Sequence, residues 1–260
     1  MTHTEALALG ILQGATEFLP VSSSGHLVLA EHFGQVQGAG LAFDVFLHLG
    51  TLLAVLIYFR KDWWAMFTFW RAEKTYQRLL FYLLLATVPG ALVGFLGEDL
   101  VARHFRDPLR VAYLLILMSF PLLLAELWSP KNKELKEIKL FQALLIGCAQ
   151  ALAIFPGTSR SGITMATGLL LGFRREAAAR FSFLLSAPII AGAGAYESLK
   201  LVQNGEPLLP VYWTGFWAAF GAGFLVIAWL LRFLRRHTFY PFIIYRILLA
   251  GAIIGLKWLG

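Results

Sequence analysis

"TEFLPVSSSGH" occupies Thr16 to His26. These eleven residues set one carboxylate, three serines and a histidine around Pro20, which cannot continue a helix. They lie inside an apolar region, residues 5–35. A second stretch of the same form, "AIFPGTSRSG", runs from residue 153 to 162 inside the apolar region 139–173 and is broken at Pro156. In each region two short apolar arms flank a polar, Gly/Ser-rich centre. A bilayer crossing takes about 17–25 mostly apolar residues, so each arm is short for the task. Irregular backbone at membrane depth is tolerated only where protein or a watery cavity surrounds it. Both regions therefore read as re-entrant helix–loop–helix hairpins.

Composition fixes the setting. Of 260 residues, 58% are hydrophobic and only 14% charged, against about 25% charged in a soluble domain. A soluble fold would be a core with almost no surface, so the chain reads as an integral membrane protein. The formal charge of +7 is no nucleic-acid footprint, because the basic residues sit in short loops between apolar runs. Cys148 is the single cysteine, which excludes an internal disulfide and a cysteine-rich metal site. "MTHTEALALG" has no basic n-region and carries Glu5 early, unlike a cleaved signal peptide.

Six further stretches have crossing length: 41–59, 79–97, 109–128, 179–198, 211–231 and 241–259. The expected fold is an all-α polytopic membrane protein of six transmembrane helices plus two re-entrant hairpins, forming one domain over 1–260. Pro20 matches Pro156 and Ser23 matches Ser159 at an offset of 136, while Gln13 meets Gln150 and Gly25 meets Gly162 one position further on. "DPLRVAY" at 107–113 likewise faces "YPFIIYR" at 240–246. One hairpin plus three spans is thus used twice, as 1–128 and 129–260, and an odd number of spans inverts the second copy.

Loop charge orients the chain. Arg60, Lys61, Arg71, Lys74 and Arg78, the four lysines of 129–139, Arg174 with Arg175, and Arg232, Arg235 and Arg236 fall on one side if the first span runs inward. The other side has mainly Arg103, Arg106, Lys200 and Lys257. The richer side is cytoplasmic by the positive-inside rule. The first hairpin then enters from outside and the second from the cytoplasm.

The polar centres carry the chemistry. Gln13 and Glu17 are one helical turn apart, and an ionisable residue at membrane depth is a functional candidate by default. Their oxygens suit a divalent cation. Pro20 ends the arm and Gly25 is read as the turn residue. Ser22, Ser23 and Ser24 would cap the next helix, and capping is compatible with anion binding there. Ser23 and His26 form a candidate nucleophile and proton carrier. The second centre offers Gly157 and Gly162 for close backbone approach, hydroxyls at Thr158, Ser159, Ser161 and Thr164, and the guanidinium of Arg160 as an oxyanion clamp. Two readings of Arg160 stand: a phosphate clamp, or a structural partner of Glu17 or Asp44. Together the centres hold what phosphoryl transfer requires.

Asp44 and His48, one turn apart, either face the site or pair with each other or with Arg246. Arg180 and Glu126 are read as interfacial, and Trp63, Trp64, Trp128 and Trp213 as interface anchors. "AGAGAY" and "FGAGF" are read as close-packing stretches.

At these residues the chain resembles the BacA-type undecaprenyl-diphosphatase family of bacterial membrane enzymes. The family's (E/Q)xxxE motif is matched by Gln13 and Glu17, its PVSS(S/T)GH stretch by Pro20–His26, its PGxSRSxxT motif by Pro156–Thr164, and its FxPFxxYR ending by Phe239–Arg246. The resemblance implies removal of the terminal phosphate from a C55 isoprenyl diphosphate, returning the lipid carrier to peptidoglycan synthesis and protecting against bacitracin. It implies a divalent cation, Mg²⁺ with Ca²⁺ as the alternative, at Glu17 and Gln13. It also implies Ser23, His26, Glu17 and Arg160 as catalytic residues, a location in the bacterial cytoplasmic membrane with an outward-facing site, and an often dimeric assembly. The amide at position 13 removes a two-carboxylate cation site from that motif. Two rivals are open: a prenyl-phosphate flippase or transporter, which has no need of Ser23 and His26, and the type-2 phosphatidic acid phosphatases. The latter need a histidine shortly after Arg160, and none occurs between His104 and His237.

Overall fold

The computed structural model describes residues 1–34, 40–68, 74–105, 107–205 and 209–259. Arg71 and Arg106 of the charge argument lie outside the described residues. Regular structure among them is helical throughout, with one isolated bridge between Lys133 and Phe173.

The first apolar region forms α1 (His3–Phe18), a break, and α2 (Ser23–Gly34). The second forms α8 (Leu140–Gln150), a 3₁₀ turn (Ala151–Ile154), a break, and α9 (Arg160–Leu170). Between and after them run α3 (Leu41–Tyr58), α4 (Arg60–Phe67), α5 (Lys74–His104), α6 (Pro108–Leu117), α7 (Ser119–Trp128), α10 (Arg175–Gln203), α11 (Pro210–Phe233) and α12 (Tyr240–Leu259). Among the described residues, five helical stretches are long and apolar enough to cross a membrane, or six when α3 and α4, bent by 75°, count as one. The chain is a multi-pass membrane protein. The expected span at 109–128 is present as α6 and α7, which together count as one crossing.

The two broken regions are tied to opposite ends of α11. His3 at the mouth of the first bonds Thr214 near the start of α11. The base of the second is tied to the other end, where Asn132 and Lys133 donate to the Gly172 carbonyl and the Ser129 hydroxyl bonds the Leu169 carbonyl. Ion pairs continue that end: Arg235 with Glu176, just past the end of α11, and Arg175 with Glu126.

Glycines bring α11 against α1 and α3. A Cβ on Gly10 would lie 2.5 Å from the Gly215 carbonyl oxygen, and one on Gly14 2.5 Å from that of Ala219. Such contact lets dispersion act backbone to backbone without a hydrophobic drive. The close packing expected of "AGAGAY" and "FGAGF" holds for Gly194, against Leu49, and Gly223, against Phe18. Gly192 and Gly221 face open space.

Two interfacial readings change. Glu126 is buried; it accepts two bonds from the Arg175 guanidinium at 2.7 and 2.6 Å and one from the Phe239 N–H at 2.7 Å, with Lys131 at 3.7 Å. A carboxylate so placed cannot reach water and latches α7, α10 and the entry to α12 together. Trp63 is packed in the core, whereas Trp64, Trp128 and Trp213 are exposed as expected of anchors. Arg180 pairs with Asp62 at 2.9 Å and lies over the Phe59 ring.

Candidate active site

The two breaks meet. Both turn through a serine with positive φ, Ser22 at 76° and Ser159 at 72°. That corrects the expectation that Gly25 makes the turn. Gly25 lies within α2, where its missing side chain admits Ser22, Val111 and the Gly157 N–H. It also corrects the register: Ser22, not Ser23, corresponds to Ser159. The Ser22 Oγ accepts from the Gly25 N–H at 3.3 Å, as the Ser159 Oγ accepts from the Gly162 N–H at 3.1 Å. Such side-chain caps satisfy helix N-termini and stabilise by about 1 kcal/mol each.

Cross-hairpin bonds fasten the breaks to each other. The Gly157 N–H donates to the Ser22 Oγ at 3.0 Å, and the Ser161 Oγ donates to the Leu19 carbonyl at 2.8 Å. Gly157 has φ 100°, and a Cβ there would lie 2.7 Å from the Val111 carbonyl oxygen. Behind both breaks sits Arg246 of α12, fully buried. It donates to the carbonyls of Pro20 (3.2 Å), Thr158 (3.1 Å), Gly157 (3.0 Å) and Leu115 (3.2 Å), and to the Ser119 hydroxyl (3.0 Å). Its acceptors are neutral, so its positive charge stays available to an anion at the breaks. The His48 Nδ1 donates to the Asp44 carbonyl at 2.8 Å.

Glu17 is the hub of the polar centre and is buried. Its Oε2 accepts from the Ser23 Oγ at 2.6 Å and from the Gln13 Nε2 at 3.1 Å. Its Oε1 accepts from the Arg160 Nη2 at 2.5 Å, while Arg160 Nη1 donates to the Ser182 carbonyl at 3.2 Å. Of the two readings of Arg160, pairing with Glu17 is the one the structure shows. Buried charges need such pairing.

His26 does not bond Ser23. Its Nδ1 lies 2.7 Å from the Ser22 carbonyl oxygen and its Nε2 2.7 Å from the Tyr245 hydroxyl. A carbonyl only accepts, so Nδ1 carries the proton and Nε2 accepts from Tyr245. The Tyr245 ring runs parallel to the imidazole, 6° apart, with centroids 5.7 Å apart. The other candidates divide. Ser24 is exposed at the mouth, 3.4 Å from Ser22. The Thr164 hydroxyl bonds the Arg160 carbonyl and Ser182 and so braces α9 against α10. The buried Thr158 hydroxyl has no partner among the described residues.

Tyr245, Arg246, Ser119 and Ser182 were not singled out as site residues from sequence. The one signal for them was the Tyr–Arg pair ending an otherwise apolar YPFIIYR stretch, since an arginine in a span needs a protein partner.

No group of three His, Cys, Asp or Glu able to hold a metal occurs among the described residues. The Gln13 Oε1 is nevertheless buried and without a hydrogen-bond partner among the described residues, one turn from the Glu17 carboxylate. One carboxylate and one amide oxygen suit a Mg²⁺ whose remaining ligands are water and substrate phosphate. The donor set therefore fits such an ion as a partner of substrate rather than as a protein-caged metal.

The family model of the bacitracin resistance protein BacA matches residues 6–252. Among curated proteins, the undecaprenyl-diphosphatase of Desulforudis audaxviator is 48% identical over 98% of this chain and 97% of the relative. Those of Moorella thermoacetica and Caldicellulosiruptor bescii are each 45% identical, the first over 100% of this chain and 99% of its own length, the second over 98% and 97%. With the family motifs meeting at one buried centre and the match running along nearly the whole chain, this protein belongs to the BacA family.

Proposed function

We propose that the chain hydrolyses undecaprenyl diphosphate to undecaprenyl phosphate and inorganic phosphate within the membrane. The observation that carries this reading is the 2.6 Å bond from the Ser23 hydroxyl to the buried Glu17 carboxylate, with Arg160 on the other carboxylate oxygen. A nucleophile, its base and a phosphate-gripping cation thus share one point.

The steps follow from these bonds. A diphosphate entering the centre draws the Arg160 guanidinium from Glu17 onto its oxygens, which it can grip with two parallel bonds. Glu17, released from its counter-ion, becomes the stronger base. It takes the Ser23 proton as Oγ attacks the terminal phosphorus. The bond from that phosphorus to the bridging oxygen breaks, and undecaprenyl phosphate leaves with the electron pair. Water then attacks the phosphoserine phosphorus as the P–Oγ bond breaks; Glu17 returns its proton to the Ser23 Oγ, and the proton lost by water leaves on the released phosphate. Arg246, fixed behind both breaks, offsets the negative charge throughout. A divalent cation, Mg²⁺ ahead of Ca²⁺, would be held by Glu17 and Gln13 and would neutralise charge on the diphosphate. Direct attack by water with Ser23 only binding is the competing route, and a phosphoserine trapped at Ser23 distinguishes the two.

A prenyl-phosphate flippase is not favoured. The curated relatives carry diphosphatase names, and transport has no use for a serine bonded to a carboxylate. The pairing of bends and caps supports an inverted repeat of 1–128 and 129–260 in one domain. The basic residues around Lys131, Lys133, Arg174, Arg175 and Arg235 gather at the end where the second hairpin enters. That supports a cytoplasmic-membrane protein whose first hairpin opens outward.

The test is phosphate release from the C55 diphosphate by purified protein with Mg²⁺, for wild type, Ser23→Ala and Arg160→Ala. Loss in both folded variants supports the reading. No release from folded wild type removes it.

A further inference from the structure

The histidine of the site is held from outside its own hairpin. The Nδ1–H of His26 is engaged by the Ser22 carbonyl, so Nε2 is the one ring atom able to take or give a proton without breaking the hairpin's own bond. That atom is bonded by Tyr245, 219 residues away on α12. The phenol ring stacks on the imidazole and remains 44% exposed. Its chain neighbour Arg246 is fully buried and anchored to both breaks, so the position of the phenol is fixed from below. Among the described residues, the charged and titratable side chains that act on the ring are these two of α12. The polar centre at Glu17 and the histidine are thus separate: Ser23 has its carboxylate, and His26 has its phenol.

We propose that Tyr245 is a positioning residue for His26: with Nδ1–H held by the Ser22 carbonyl, the phenol fixes the orientation of the ring by its hydrogen bond to the Nε2 lone pair. The phenol donates to the neutral ring at Nε2, and the same hydroxyl can turn to accept from Nε2 should the ring gain a proton, so the contact holds the ring in either state. The catalytic arm of the test rests on the phosphatase reading; the spectroscopic arm does not.

The spectroscopic arm reads imidazole ¹⁵N shifts in detergent-solubilised protein without substrate, with the His26 signals assigned by their absence in His26→Gln. Wild type should show a protonated Nδ1 and a hydrogen-bonded, unprotonated Nε2. In Tyr245→Phe, which keeps the ring and removes the hydroxyl, the Nε2 signal should move to that of a nitrogen without this hydrogen bond while Nδ1 stays protonated. An unchanged Nε2 signal would overturn the proposal whatever the enzyme does. The kinetic arm measures phosphate release. Tyr245→Phe should lower kcat about tenfold with KM within about twofold. In a His26→Gln background the same change should cost nothing further. An equal loss with and without His26 would mean that Tyr245 acts structurally or on substrate. Absence of release in wild type sinks the phosphatase reading while leaving the ¹⁵N result to stand or fall by itself.

Discussion

At the bend of the first hairpin Ser22 turns the chain with φ 76° and caps α2; at the bend of the second Ser159 does the same with φ 72° and caps α9. In that register Gln13 corresponds to Gln150, Ser24 to Ser161 and Gly25 to Gly162, with only the prolines one place out of step. The side chains that do chemistry break the correspondence. Opposite Glu17 stands Ile154, opposite Ser23 stands Arg160, and opposite His26 stands Ile163. One backbone device is used twice, and its reactive groups are distributed unequally: acid, hydroxyl and imidazole in the first hairpin, the cation in the second. The Glu17–Arg160 bond is where the halves meet.

The largest break in that division comes from Glu17→Gln. The amide keeps the shape and loses both the base for Ser23 and the counter-charge for Arg160. Phosphate release should fall about 10³-fold, within the range for loss of a general base. A thermal melt checks that the protein still folds, because removing one partner of a buried pair costs about 3–5 kcal/mol. Release within tenfold of wild type would move the base role to another group. On the other hairpin, Arg160→Lys retains the charge and loses the planar fork. Release should drop about a hundredfold while Glu17 keeps a counter-ion. If lysine serves as well as arginine, the second hairpin contributes charge alone.

Gly157→Ala attacks the scaffold instead of the chemistry. An L-residue at φ 100° is strained, and the added Cβ meets the Val111 carbonyl oxygen at 2.7 Å. The cost should be about 2–3 kcal/mol, read as a lowered melting temperature in detergent. A variant as stable as wild type would show that α6 can yield at this point.

Much of this arrangement was legible in the chain. Both breaks followed from proline and Gly/Ser in apolar surroundings, and the spans from length. Glu17, Ser23 and Arg160, picked for their chemistry at membrane depth, lie together. What was not legible depends on which face a helix turns to a distant neighbour. Ser23 and His26 are three apart in sequence and were read as a pair, yet the helix sends one to Glu17 and the other to Tyr245. Glu126 near a span end looked wet, because nothing local says that Arg175 and the Phe239 N–H close over it. The matching of serines failed by one residue because prolines were aligned, whereas the backbone aligns by its positive-φ turns.

The smallest expected effect tests the division of labour most directly. Gln13 donates to Glu17, but both amide atoms of the buried Gln150 lack a hydrogen-bond partner among the described residues. The second hairpin has no acid for its glutamine to hold, since Ile154 stands in that place. An unsatisfied buried amide costs about 1–3 kcal/mol, and an apolar side chain of similar size removes the cost. Gln150→Leu should therefore raise stability by about 1 kcal/mol and leave release within about twofold. Gln13→Leu should lower release about tenfold by freeing the Glu17 carboxylate to turn. Melting curves and release rates on the same two preparations decide the matter. Should Gln150→Leu lose activity as Gln13→Leu does, the second glutamine holds a group that matters to the reaction, and the two hairpins share the polar work more evenly than their side chains indicate.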